Sequence, residues 1–280
     1  MERLKRILRR IPILCSFFHF VPSGSPQRLK KVLRRIPGVR RGARLVRFVT
    51  FILHEAWWAW WLWVDPEKLF DQVHVERLWN FAAPRSQAYY SRVLAVVAEQ
   101  SSGDRWGDTL EIGCSEGVFT AELACRCRSV SAYDISPTAR ARAAERCAQF
   151  PTVRIGPLDL TKDEIPGQYD LAFAMDVLSM VRGCKQMAAA AGKLSNALRS
   201  GGILAFGDCR MPLNIRRRWW SQRSWSRWLP MNPDEYVELF EKSFGLRLVH
   251  REVFPPESEG LPDSWDWVIA LFQKDSVPQP

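Results

Sequence analysis

The stretch Asp108-Thr109-Leu110-Glu111-Ile112-Gly113-Cys114-Ser115-Glu116-Gly117-Val118-Phe119-Thr120 constrains the fold more than any other part of the chain. An apolar run with strand character enters a Gly-x-x-x-Gly loop, and a helical pattern leaves it. Strand-like runs recur at 129–133, 152–155, 169–174 and 202–206, with helical stretches between them at 118–126, 137–148 and 183–199. Such alternation predicts a parallel sheet covered on both faces. Further helices are expected from Asp65-Pro66, over 85–100 and over 233–243. Runs at 246–254 and 265–272 read as two more strands that finish the sheet with an antiparallel edge.

The loop carries chemistry as well as geometry. Gly113 lets the chain turn without a Cβ clash, and Gly117 lets a ligand or the next helix come close. The helix N-terminus behind them favours an anion or a carboxylate. Ser115 stands where a second glycine would complete a dinucleotide loop, and no P-loop lysine is present. Glu111 at the mouth would repel a pyrophosphate but orient a cationic amino-acid portion. Asp134 ends the next strand, 23 residues beyond Glu111, where a carboxylate can accept both hydrogens of a ribose diol. Asp159 follows the third strand between Leu158 and Leu160, and Asp170 and Asp176 belong to the fourth segment, Tyr169–Leu178. Open α/β sheets bind ligands at the carboxyl ends of their strands.

With these motifs in order, the sequence resembles the class I S-adenosylmethionine-dependent methyltransferases over about 105–273. The resemblance implies a Rossmann-like seven-stranded α/β sheet of order 3-2-1-4-5-7-6, with strand seven antiparallel. It implies that Glu111, Gly113, Cys114, Ser115 and Gly117 form the methionine-binding loop. Asp134 and the adjoining Ile135 would hold the ribose, Asp159 and Leu160 (or Leu158) the adenine, and Asp176 the fourth-strand position. Gly201-Gly202 would be the turn before strand five. A closer resemblance is to the nodulation methyltransferases that N-methylate a chitooligosaccharide amine. Trp79-Asn80-Phe81 through Tyr89-Tyr90, Leu110–Thr120, and Leu204–Gly207 with the Arg/Trp segment after it carry that likeness. It implies a small-molecule or glycan acceptor.

Methyl transfer from a sulfonium needs an acceptor about 3 Å from the methyl carbon, in line with sulfur. An amine must be unprotonated, and a hydroxyl benefits from a base. Asp176 is the nearest candidate for an acceptor contact, although bonding the cofactor or capping a helix are equal alternatives. His74 is a candidate base, and Asp208 and Arg210 follow the fifth strand. Tyr89 and Tyr90 are candidate acceptor contacts. Residues 209–230 read as a substrate lid in which Trp219 and Trp220 stack on an acceptor beside Arg216, Arg217 and Arg218. An RNA methyltransferase, an NAD-dependent oxidoreductase and an inactive interaction protein remain alternatives.

The charge is uneven. Residues 1–50 hold 14 Lys and Arg against Glu2 alone, whereas residues 51–280 hold 26 basic and 29 acidic groups. The basicity belongs to an arm, which weakens nucleic-acid binding by the body. Residues 1–11 and 28–36 are basic and amphipathic. Residues 48–64 contain Trp57, Trp58, Trp60, Trp61 and Trp63, with His54 and Glu55 in the middle. A helical arm over 1–64 that lies on an anionic membrane surface is one expectation; packing on the body and a true span are the others. The helices of 65–104 introduce the catalytic body, and 274–280 is an expected flexible tail. Seven cysteines, Cys125-Arg-Cys127 among them, and four scattered histidines form no zinc motif, so no metal is expected. A reducing cytoplasmic setting is expected for the body, with the arm peripherally attached to the inner face of the membrane.

Overall fold

A computed structural model describes residues 65–77, 80–101, 106–181, 184–210, 233–254 and 266–275. The chain divides into two compact units, Met1–Glu55 and Ala56–Pro280, and all described residues belong to the second. The arm expected over 1–64 and the Trp219-Trp220 stretch of the expected lid lie outside them. No helix among the described residues is long and apolar enough to cross a membrane.

The elements in order are α1 (Pro66–Val75), α2 (Pro84–Gln100), β1 (Trp106–Ile112), α3 (Val118–Ala124), β2 (Cys127–Asp134), α4 (Pro137–Arg146), β3 (Val153–Pro157), β4 (Tyr169–Met175), a 3-10 turn (Leu178–Met180), α5 (Cys184–Asn196), β5 (Leu198–Arg210), α6 (Pro233–Phe244), β6 (Leu246–Phe254) and β7 (Asp266–Lys274). Local chemistry sets several of the starts. The Asp65 side chain accepts a 3.0 Å bond from the Lys68 N–H at α1, and Ser136 accepts 3.0 Å from Ala139 N–H at α4. A proline opens each of α1, α2 and α4, where a missing N–H costs nothing.

The sheet has seven strands in the order β3-β2-β1-β4-β5-β7-β6. β3 through β5 are parallel, and β7 runs antiparallel to both β5 and β6. This is the architecture the motif order implied. Period-two alternation splits the core into two layers. Leu110, Ala172, Leu204, Phe206 and Phe272 face one side with Leu194 and Phe240; Leu171, Phe173, Ala205, Ile269 and Leu271 face the other with Val93, Phe119 and Leu123.

One expectation is corrected. Gly201-Gly202 does not precede the fifth strand but lies inside it. The register jumps there from Tyr169↔Leu198 to Leu171↔Ile203, and Gly201 has a φ of 75°. Asp170 is at the start of β4, the end opposite the ligand side. It accepts 2.8 Å bonds from Asp108 N–H and Arg199 Nη1, and Arg128 bridges the neighbouring Asp108 carboxylate. Those guanidiniums and Ser129 hold the Asp108 carboxyl far below the usual carboxylate range.

Candidate functional site

At the carboxyl ends of β1 to β4 lies a cavity of about 800 Å³. The β1–α3 loop beneath it turns through three left-handed residues, Gly113 (φ 77°), Ser115 (φ 51°) and Gly117 (φ 73°). A Cβ on Gly113 would stand 2.6 Å from Val177 Cγ2, and one on Gly117 would stand 2.8 Å from Ala143 Cα. Gly117 therefore serves the approach of α4; Gly113 and Ser115 line the cavity, and Gly117 does not. Cys114 is buried and also absent from the lining; burial raises its thiol, with Glu111 and Asp134 adding to the rise.

Glu111 is buried near the end of β1 and, like Cys114, is absent from the cavity lining, which its neighbours Ile112 and Gly113 supply. Burial pushes its carboxyl up to about 8; the Thr120 hydroxyl offsets part of this and Asp134 adds to it. Neither Glu111 Oε2 nor Ser115 Oγ has a hydrogen-bond partner among the described residues. An orphaned carboxylate oxygen costs free energy unless a ligand donor meets it. Asp134 is also buried, with one oxygen accepting Ser115 N–H and the other Ser136 N–H, each at 2.8 Å. Burial raises its carboxyl despite these bonds and the nearby His74 and Arg140. Ile135, Leu158 and Leu160 supply an apolar wall next to it. Asp159 faces the cavity but is held by Thr161 and, at 2.8 Å, Lys162. Burial opposes its ionisation, and those partners outweigh burial to lower its carboxyl.

The other half of the cavity belongs to β4, α2 and β7. Asp176 stands one residue past β4 at a φ of 55°, its N–H bonded to Gly207 O at 2.7 Å. Its Oδ2 accepts 3.0 Å from Trp267 Nε1. Tyr90 lines this half, packs on Phe119 at 4.8 Å, and has its hydroxyl pushed up by burial, by Asp176 and by Glu111. Tyr89 also touches the cavity but is only 1% exposed and belongs mainly to the core.

His74 reaches the cavity from α1. Its Nδ1 is 3.7 Å from Glu116 Oε1, its ring stacks on Phe81 at 6.1 Å, and it acts electrostatically on Asp71 and Asp134. It thus stands with the carboxylates of the β1–β2 side. Asp208 is 1% exposed and does not line the cavity; its Oδ2 accepts Ser179 N–H at 2.8 Å, pinning the turn after β4. Arg210 ends β5. No cluster of metal-ligating side chains occurs among the described residues.

Two positions that shape or line the candidate site escaped the sequence reading. Asp71 on α1 accepts 2.8 Å bonds from Ser136 Oγ and Thr138 N–H, tying α1 to the start of α4. Trp267 joins the site from the last strand. An antiparallel strand begins where its parallel neighbours end, so the first residues of the run at 265–272 were already marked for the ligand side.

Among solved structures, the N-methyltransferase NodS from Bradyrhizobium japonicum WM9 in complex with S-adenosyl-L-homocysteine superposes with a TM-score of 0.59 at 22% identity. That alignment covers 75% of this chain and 98% of the other. The [4+2]-cyclase SpnF superposes at 0.54 with 16% identity, over 71% of this chain and 85% of its own, so the shared fold does not dictate the reaction. Nodulation protein S of Bradyrhizobium diazoefficiens is 29% identical over 133 residues, 48% of this chain and 61% of that protein. Its counterpart in Rhizobium tropici is 30% identical over 103 residues, 37% of this chain and 43% of its own. The sequence match thus spans less than two thirds of either relative. The model of the Nodulation protein S (NodS) family covers residues 67–226, from α1 through the glycine loop and beyond β5, and the chain belongs to that family.

Proposed function

We propose that the protein is an S-adenosylmethionine-dependent methyltransferase that methylates N or O of a small-molecule or saccharide-like acceptor. The observation that carries this is the buried Glu111 carboxyl, whose Oε2 has no hydrogen-bond partner among the described residues; it sits directly behind Ile112 and Gly113 of the cavity lining and one strand from Asp134, in a cavity walled by Leu158 and Leu160. A ligand with an ammonium, a diol and a flat apolar ring fits that order of groups; a pyrophosphate does not. Membership of the NodS family, and a NodS crystal structure holding S-adenosylhomocysteine, support the same reading.

When bound, the cofactor supplies a methyl group on a positive sulfonium. Glu111 would meet the ammonium, Asp134 would accept from the ribose hydroxyls with its remaining lone pairs, and Ile135, Leu158, Leu160 and Asp159 would hold the adenine. Gly113, Cys114, Ser115 and Gly117 shape the loop beneath. Asp176 and Tyr90 wall the acceptor, and the Asp176 carboxylate accepts an N–H or O–H so that a lone pair turns to the methyl carbon. We assign His74 to the cofactor half, because Glu116, Asp71 and Asp134 surround it, and Asp208 to support of the turn. Arg210, Trp219 and Trp220, in the 209–230 segment, are assigned to acceptor binding. Calorimetry should detect S-adenosylhomocysteine binding with no competition from NAD, and labelled methyl should pass to a glucosamine oligomer. Binding of NAD alone would refute the cofactor assignment. Label reaching RNA alone would refute the acceptor.

The arm, residues 1–64, completes the proposal as a peripheral anchor. Its basic faces suit anionic headgroups at about 1 kcal/mol per near-surface Lys or Arg, and its tryptophans suit the interfacial layer. Full-length protein should float with phosphatidylglycerol vesicles and come off in salt, while a chain of residues 65–280 should not float. Equal behaviour of the two chains would overturn the anchor.

A further inference from the structure

Asp176 holds a conformation that a non-glycine residue adopts at a cost, φ 55°, immediately after β4. Such a position persists where its surroundings fix it. One tether is the main-chain bond to Gly207 on β5; the other is the indole N–H of Trp267, which reaches the carboxylate from β7, beyond β5 in the sheet. Gly207 makes the crossing feasible. It pairs with Met175 on one side and Ile269 on the other, and a Cβ there would overlap the Tyr89 hydroxyl and Met175 Cε. The space left by the missing side chain is where Tyr89 comes down on the sheet. Tyr89 stacks on Trp267 at 4.9 Å with 22° between planes, and the Arg85 guanidinium lies 4.9 Å from the same ring centroid. Backbone pairing to Cys209 and Phe254 fixes the strand beneath. The indole is thus held independently of Asp176, as a group that orients another must be.

We propose that Trp267 is a positioning residue for methyl transfer: its indole N–H sets the Asp176 carboxylate at the acceptor wall, and Arg85 and Tyr89 of α2 set the indole. The proposal rests on the assignment of Asp176 to the acceptor side. It makes the antiparallel edge of the sheet part of the reaction site, although the proposed cofactor groups come from β1 to β3, the loops after them and α1.

The test uses full-length protein. Trp267→Phe keeps an aromatic ring on Tyr89 but removes the donor. With a glucosamine tetramer as acceptor, kcat should fall about tenfold, while S-adenosylhomocysteine affinity stays within about twofold. Adding Trp267→Phe to Asp176→Asn should lower kcat no further than Asp176→Asn alone. Independent, multiplicative losses in the double variant would overturn the proposal, as would parallel loss of kcat, cofactor affinity and melting temperature. A second readout needs no acceptor. The indole ¹⁵N–¹H signal of Trp267, identified by its disappearance in Trp267→Phe, should exchange slowly with water in the wild type and rapidly in Asp176→Ala. Equal exchange in both would overturn the tether. Failure of the wild type to methylate the tetramer, with the exchange contrast intact, would count against the acceptor class and leave the tether standing.

Discussion

Replacing Glu111 by Gln separates binding from stability, with opposite signs. In the ligand-free protein the buried carboxyl titrates at about 8, against 4.5 for the ordinary group. Between those values the unfolded chain has lost the proton and the folded chain keeps it. Stability is therefore undiminished below about pH 4.5 and falls as pH rises towards 8. At 1.36 kcal/mol per pKa unit, the penalty at pH 7 is about 3 kcal/mol. Gln has nearly the same volume and no charge to ionise. Glu111→Gln should unfold at a higher urea concentration than wild type at pH 7.5, and the gain should shrink towards zero at pH 5. Ligand binding should move the other way. If an ammonium meets Glu111, the carboxyl must ionise on binding, which at pH 7 costs about 1.4 kcal/mol and at pH 6 about 2.7 kcal/mol. Wild-type affinity for S-adenosylhomocysteine should then rise nearly tenfold per pH unit from 5.5 to 7.5, below the range where a free α-amino group titrates, near 8. Calorimetry in two buffers of different ionisation enthalpy should count nearly one proton released. The Gln variant should release none and bind at least tenfold more weakly at pH 7.5. Wild-type affinity that is flat over this range, with no proton exchanged, would refute the reasoning.

Asp134→Ala should weaken S-adenosylhomocysteine by about 1–3 kcal/mol in the same calorimeter, through lost charge-assisted bonds and a loosened Ser115 N–H. Gly117→Ala should lower unfolding free energy by about 1–3 kcal/mol in urea, because its Cβ would meet the α4 backbone 2.8 Å away at a φ of 73°. In that variant, lost ligand affinity should follow lost stability.

The fold was legible because three of the four parallel crossovers repeat one grammar, an apolar strand, a turn, then a helix, while β3 passes to β4 without one. Handedness and strand order follow from the methyltransferase-like motif sequence. The placing of three carboxylates at the ligand end of the sheet was legible for a related reason. Glu111, Asp134 and Asp159 each end or follow a parallel strand, so position in the chain reports position at the cavity. The Asp176 side of the cavity was less legible because residues far apart in sequence make it. Trp267 lies 91 residues from the carboxylate it bonds. Asp208 misled because β5 continues to Arg210, so what read as the strand's end is interior, and pleating turns the carboxylate to Ser179. His74 gave no spacing signal, and its neighbours emerge only once α1 meets the β1–β2 side.

The strand order has a consequence for synthesis. β7 follows β6 in the chain but lies between β5 and β6 in the sheet. A ribosome adding about 5–20 residues per second releases β5 and then β6 before the strand that pairs with both. Until residues 266–274 emerge, the nascent protein presents two unsatisfied strand edges, the kind of surface that recruits chaperones or other chains. The Tyr89–Trp267 stack and the tether to Asp176 form in that same late event. A chain stopped before β7 would keep every proposed cofactor-binding residue, and Asp176 and Tyr90 as well, but lack the indole that bonds the Asp176 carboxylate, so completion of the sheet is also the moment at which that carboxylate acquires its side-chain tether.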